Sequence, residues 1–226
     1  MIVRSDAVVL RAIEYGETSQ IVTLYTRRHG QITVMAKGAR RPKSRFGSSL
    51  QPMAYVQVVY YYKPQRGLQT LKEATHVQVL HGVRADMAKI TAGLRMVELA
   101  RVLSHDEEQN VLLFTLLVQS LLRLDAADER VGNVLPYFQL RLATVLGFSP
   151  DIDREAVLAL GDDGGVLALD TGAVLPGLAV PKAGVRASRA ALRAFAIFAR
   201  ADLDAVMRMQ LGADTQAEVD RLVEAF

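Results

Sequence analysis

Hydrophobic and polar positions alternate through residues 7–75, where β-branched and aromatic side chains are also enriched, and this period of two is the signature of strands. Five runs are predicted, at 7–15, 20–27, 31–37, 55–63 and 68–75. Short turns at Gly16-Glu17 and His29-Gly30 join the first three into a meander. A longer loop over 38–52 leads into the fourth. Alternation points Ile32, Val34 and Ala36 inward and Gln31, Thr33, Met35 and Lys37 outward. In the fourth run it places Tyr55, Gln57, Val59, Tyr61 and Lys63 outside, with at least one of Tyr60, Tyr61 and Tyr62 in the core.

Beyond residue 81 the period becomes helical, with segments at 83–104, 106–124 and 128–147. Asp106, Glu107 and Glu108, then Asp128 and Glu129, are expected to open the second and third of these, where carboxylates favour the positive end of the helix dipole. Residues 155–181 read as strand-like, with Asp162-Asp163-Gly164-Gly165 as a hairpin turn. The stretch 188–226 is helical again, broken near Asp202 and Gly212, with Thr215 and Glu218 at capping-box spacing.

These elements predict an α+β chain. Its head, 1–80, is a five-stranded barrel whose long excursion between the third and fourth strands suits the OB fold, although other small β-barrels fit nearly as well. Its body, 81–226, is α-helical with a small β-hairpin insertion near 155–181. A length of 226 residues accommodates two such domains, and a composition half hydrophobic and 23% charged excludes a disordered tail.

Charge divides along the same line. Up to Leu80 there are 12 Lys and Arg against 4 Asp and Glu, a balance of +8; beyond it 15 face 20, a balance of −5. A basic head on an acidic body points to a polyanionic partner. The charge concentrates in AKGARRPKSRFG (36–47), where Lys37, Arg40, Arg41, Lys43 and Arg45 have no acidic neighbour in sequence. Gly38, Pro42 and Gly47 exclude a helix, so these cations belong to an exposed, mobile loop suited to phosphate. Tyr55 and Tyr61 share a face with Lys63, as stacking platforms for single strands do. Arg27, Arg28 and Arg66, at strand ends or turns, either extend the electrostatic footprint or are ordinary surface arginines.

Other chemistry is not indicated. There is no cysteine, which removes disulfides, thiol catalysis and Cys-ligated metal and suits a reducing cytoplasm. No phosphate-loop or dinucleotide fingerprint occurs, the four histidines have no metal-ligand spacing, and the acids of the head are too dispersed for a two-metal nuclease. Asp151, Asp153 and Glu155 resemble the opening of a calcium loop but lack its glycine, so capping is the better account. Neither catalysis nor a cofactor is expected. Arg4, Asp6 and Arg11 interrupt any secretory signal, and the most apolar run, 111–118, is too short to cross a bilayer, so no membrane association is expected.

The run YGETSQIVTLYTRRHGQITVMAKGARRPKS (15–44), with LQPM (50–53) and LGFSPDID (146–153), closely resembles the RecO family of bacterial recombination and DNA-repair mediators. The resemblance implies an N-terminal OB-fold and a helical domain. It also implies that the protein binds single- and double-stranded DNA, anneals complementary strands, including strands coated with single-strand-binding protein (SSB), and works with RecR to help RecA load onto them. Such a protein is cytoplasmic and associated with the nucleoid. The basic loop of the family's DNA-binding barrel falls on Lys37, Arg40, Arg41, Lys43 and Arg45. Many members carry two CxxC zinc pairs after the GF.P segment. Here Glu155, Leu158, Ala168 and Thr171 stand in those places, so the hairpin is expected to fold without zinc, through packing of Leu158, Val166, Leu167 and Leu169. The family's contact with the acidic, apolar tail of SSB needs a cation beside an apolar groove. Arg141 with Tyr137 and Phe138 is the candidate, with Arg123 and Arg130 as alternatives. An OB-fold RNA-binding adaptor is the alternative reading of the whole chain.

Overall fold

The computed structural model describes residues 1–177 and 183–226. These separate into two compact units, Met1–Ala127 and Asp128–Phe226, so the change of period near Leu80 is not where compactness changes.

In the first unit β1 (Ile2–Tyr15), β2 (Ser19–Thr26), β3 (Gly30–Ala36), β4 (Tyr55–Tyr61) and β5 (Gln69–Gln78) close into a barrel of order β1-β2-β3-β5-β4. All neighbours are antiparallel except β3 and β5, the arrangement of an OB-fold. The 14 residues of β1 serve two neighbours: the stretch up to Val8 pairs with β4, and the stretch from Ala7 onward pairs with β2, with a bulge between Val9 and Arg11. The inward residues Val22, Leu24, Ile32, Val34, Val56, Val58 and Tyr60 pack with Phe46 and Leu50 into one core. Alternation thus holds through β3 and most of β4. Val59 departs from it: beside a bulge between Val59 and Tyr60, it is buried although it lies outside that core cluster.

The helices α1 (His81–Ala85), α2 (Met87–Leu103) and α3 (Val111–Ala126) complete this unit. Asp86 caps α2 by accepting from Ala88 and Lys89 N–H, and Asn110 caps α3 by accepting from Leu113 N–H. Asp106, Glu107 and Glu108 therefore do not open α3. Their segment lies instead along β3: Gln31 bridges to Asp106 in parallel, Glu107 N–H donates to the Gln31 carbonyl (2.9 Å), and Gln31 Nε2 donates to Asp106 Oδ1 (2.9 Å). Ser104 Oγ donates to Gln31 Oε1 (3.0 Å) and Gln109 Nε2 to the Arg27 carbonyl (3.0 Å). Backbone hydrogen bonds to an open strand edge outweigh the few tenths of a kcal/mol from a helix dipole.

In the second unit a 3-10 turn at Val131–Asn133 precedes α4 (Val134–Val145), so Asp128 and Glu129 likewise stand outside a helix. Then come α5 (Arg154–Leu158), β6 (Gly165–Ala168), β7 (Val174–Pro176), β8 (Gly184–Ala187), α6 (Arg189–Arg200), α7 (Leu203–Met207) and α8 (Ala213–Ala225). The three strands form an antiparallel sheet of order β7-β6-β8. Asp162–Gly165 leads into β6 and is not the hairpin turn; β6 and β7 are joined through Gly172, at φ +72°, whose N–H donates to the Ala168 carbonyl (2.8 Å). Residues 178–181 of the expected insertion lie outside the described residues. Val166 and Leu167 are buried as expected, but Leu158 is 61% exposed. The side chains of Asp153, Ser188 and Asp202 cap α5, α6 and α7. Glu218 is not part of a capping box with Thr215, because α8 begins after Gly212; its Oε2 accepts from both the N–H and the hydroxyl of Ser188. Phe138, Phe195 and Phe198 are fully buried in this unit.

Candidate nucleic-acid interface

The basic loop runs between two buried anchors, Ala36 at the end of β3 and Phe46 in the barrel core. Gly38 takes the left-handed conformation (φ +72°), which lets the chain turn at once. Arg41 N–H donates to the Gly38 carbonyl (3.2 Å) and Ser44 N–H to the Arg41 carbonyl (2.9 Å), so the loop is a succession of turns. Lys37, Arg41, Lys43 and Arg45 are exposed on it. The Arg45 guanidinium lies 5.1 Å above the Phe46 ring, a cation–π contact. Among the described residues no carboxylate lies within ion-pair distance of Lys37, Arg41 or Lys43.

Arg40 differs. It pairs with Glu14 (2.9 Å) and donates to the carbonyls of Gly16 (3.3 Å) and Glu17 (3.4 Å), while its N–H reaches the Thr18 carbonyl (2.9 Å). A counter-charge distant in sequence thus meets one of the five loop cations across the β1–β2 turn. Arg40 ties two loops together.

Four further candidates lie toward the other end of β3, seven residues or about 20 Å away at the strand rise. Arg27 and Arg28 are exposed in the β2–β3 turn, and Lys63 and Arg66 in the β4–β5 turn. Buried Gln69 braces the latter: its Oε1 accepts from Lys63 N–H (2.9 Å) and its Nε2 donates to the carbonyls of Lys63 (2.9 Å) and Arg66 (2.7 Å). Tyr55 and Tyr61 do lie on one face of β4, half-buried and exposed respectively, but six residues apart, again about 20 Å. They form no joint platform. The stacked pair is one that alternation misses: His29 lies parallel to Tyr62, centroids 4.1 Å apart with 7° between planes. Its signal is a histidine in a tight turn whose strand ends level with a tyrosine run. Tyr60 meets His29 edge-on, with its hydroxyl 2.5 Å from His29 Nδ1, and burial pushes the Tyr60 hydroxyl up to about 12. Burial also holds the His29 imidazole below its ordinary pKa, opposed by Glu107 and reinforced by Arg28.

On the second unit the three residues expected to meet a partner are engaged within the unit itself. Phe138 is fully buried, Tyr137 is buried, and Arg141 donates to the Ala199 carbonyl (3.2 Å), because the aromatic face of α4 is spent on the core. Arg130 similarly donates to the Met207 carbonyl (3.1 Å). A different surface has the required character: a groove of about 450 Å³ beside α5 and α6, with Val157, Leu158 and Ile197 between Arg154, Arg193 and Arg200. Arg193 donates to the Leu158 carbonyl (3.3 Å) and Arg200 to the Ile152 carbonyl; Arg154 is exposed.

The four positions matching the zinc thiolates do not fit a metal. Glu155 and Leu158 lie on α5, Ala168 on β6 and Thr171 in the following turn, where its hydroxyl accepts from Ala173 N–H (3.2 Å). One carboxylate, one engaged hydroxyl and two apolar side chains are not a tetrahedral zinc set. Among the described residues no group of three His, Asp or Glu is placed to hold an ion, and no helix is long and apolar enough to cross a membrane.

Barrel topology, the cation-rich loop after β3 and the helical second half define a class: an OB-fold protein extended by an α-helical domain. The family model described as Recombination protein O N terminal matches residues 1–80, and that described as Recombination protein O C terminal matches residues 84–226. The chain belongs to the RecO family of DNA repair proteins. It is 54% identical over 225 residues to the DNA repair protein RecO of Salinibacter ruber, covering 100% of this chain and 86% of that protein. The RecO proteins of Chlorobaculum parvum and Bacillus pumilus are 38% and 33% identical over 154 residues, or 68% of this chain and 59% of each of theirs. The chain's matches thus span a little under two thirds of these two relatives.

Proposed function

We propose that this chain is a non-catalytic recombination mediator of the cytoplasm and nucleoid. It binds single- and double-stranded DNA, anneals complementary strands and, with RecR, helps RecA load onto single strands coated with SSB. The observation that carries this reading is the set of exposed, acid-free cations Lys37, Arg41 and Lys43, held with Arg45 on one turn-built loop of an OB barrel. Bound phosphates release counterions, two strands held on one basic surface repel each other less, and their effective concentration rises. Neither nucleotide hydrolysis nor a cofactor enters this mechanism. The test is annealing of complementary oligonucleotides, bare and SSB-coated, across a salt series. Acceleration in both states that fades as salt rises is expected; none, or acceleration indifferent to salt, would overturn the reading.

For the SSB contact we favour the groove beside α5 and α6, where exposed Arg154 meets an acidic tail while Leu158 and Ile197 receive its apolar end. Arg154→Glu is expected to weaken an acidic, apolar-ended peptide about tenfold, roughly 1.4 kcal/mol. Fluorescence anisotropy with the SSB tail peptide reads this directly, and unchanged affinity would remove the groove from the contact.

A further inference from the structure

The segment along β3 leaves a polar cleft that the basic loop does not share. β5 pairs with β3 only at Val34 and Met35, so the lower part of β3 presents a free edge, part of which the 104–109 segment occupies. Between that segment and the β4–β5 turn remains a cleft of about 290 Å³, lined by Gln31, Thr33, Gln65, Gln69, Asp106 and Glu107. This is close to the lower end of small-molecule pockets, about 300 Å³, with room for one base and not for a stacked run.

Its polar atoms are unevenly used. Both ends of the Gln31 and Gln69 amides are engaged, Asp106 Oδ1 takes Gln31 Nε2, and Glu107 Oε2 takes the Tyr62 hydroxyl (3.1 Å). Among the described residues no hydrogen bond takes the second oxygens of Asp106 and Glu107, the Thr33 hydroxyl or the Gln65 amide, which leaves them for a ligand. Gln65 is held there in a left-handed conformation (φ +61°). A lining that includes the exposed carboxylates of Asp106 and Glu107 repels phosphate and accepts from amino groups. The adjoining β4–β5 turn has the opposite character, since Lys63 and Arg66 are exposed on it. The His29–Tyr62 stack abuts the cleft through the Tyr62–Glu107 hydrogen bond.

Acceptors lining the cleft, cations on the adjoining turn and a flat aromatic pair alongside match a nucleotide with its base edge toward the cleft and its phosphate toward the turn. Resting on the proposed DNA binding, we infer that this cleft takes the exocyclic amino edge of one unstacked base of a single strand, cytosine N4 being the fitting pyrimidine group. Asp106 and Glu107 accept from the amine, and Lys63 and Arg66 hold the flanking phosphates. Thymine presents a carbonyl at that position, which the carboxylates repel. The basic loop supplies sequence-blind affinity, and the cleft adds a base preference to it.

The experiment compares oligo-dC and oligo-dT of equal length, by anisotropy at one salt concentration, on the whole chain and on Asp106→Asn/Glu107→Gln. Both substitutions keep the acceptors used by Gln31 and Tyr62, and a thermal melt verifies the fold. Thr33→Val, which carries no charge change, provides a second variant. The wild type is expected to favour dC about fivefold, and the double variant to bring the ratio near one; Thr33→Val lowers it in part. Equal binding of dC and dT by the wild type, or a ratio that survives both variants, would overturn the cleft while leaving DNA binding intact. Tighter binding of both oligomers by the double variant at an unchanged ratio would show that the carboxylates only repel phosphate, and would overturn it too. Binding of neither oligomer by the wild type would sink the DNA-binding reading and the cleft together.

Discussion

Replacing Lys37, Arg41 and Lys43 together by Ala is expected to lower the slope of log affinity against log salt for single strands by about 2, and to weaken binding roughly a hundredfold at 0.1 M salt. Each neutralised single-strand phosphate contributes about 0.7 to that slope, so three contacts give about 2, and the released counterions account for the loss of affinity. These three are the appropriate set because the loop's cations are not equivalent. Arg40 already faces Glu14 and two carbonyls, so Arg40→Ala should loosen the junction with the β1–β2 turn and change the slope little. That ion pair is largely exposed, and exposed pairs contribute only about 0–1 kcal/mol. Titration of a labelled oligonucleotide at four salt concentrations reads both quantities, and a triple variant with the wild-type slope would exclude the loop from the phosphate path.

The second large effect is on stability. Gly30→Ala is expected to destabilise the first unit by about 3 kcal/mol. A Cβ at Gly30 would lie 1.9 Å from the Glu108 carbonyl oxygen and 2.6 Å from its carbon, and the backbone there has φ +59°. The left-handed conformation alone costs an alanine about 1–2 kcal/mol. The carbonyl cannot simply retreat, because the Glu107–Gln31 and Gln109–Arg27 hydrogen bonds hold its segment on β3. Gly16→Ala separates the two contributions: Gly16 has the same φ of +59° with nothing within 4 Å, so it should lose only about 1–2 kcal/mol. Urea unfolding of both variants makes the comparison. Equal losses would mean that the 104–109 segment is not seated against the strand.

The barrel was legible because its information is local. A period of two marks which face of β3 and β4 is buried, and the meander turns sit at Gly16 and Gly30, both at positive φ. What the sequence concealed were contacts between residues far apart in it. Asp106, Glu107 and Glu108 are spaced as helix-opening acids are, and only the unpaired edge of β3 gives them another use. Glu14 neutralises Arg40 from the far side of a hairpin, which a tally of neighbouring charges cannot register. Tyr137 and Phe138 have the composition of a docking surface, yet an amphipathic helix of the second unit must bury such rings first. His29 and Tyr62 belong to different strands' ends and meet only once the barrel closes.

The seam along β3 also sets an order of events for the nascent chain. The residues that occupy its free edge follow α2, some 75 positions after Gln31, so all five barrel strands are synthesised before the segment that covers the remaining edge exists. Until then the newly made barrel exposes unpaired backbone groups of the kind that recruit other strands. The two family models meet between residues 80 and 84, whereas the first compact unit runs on to Ala127 and takes in the segment that returns to β3.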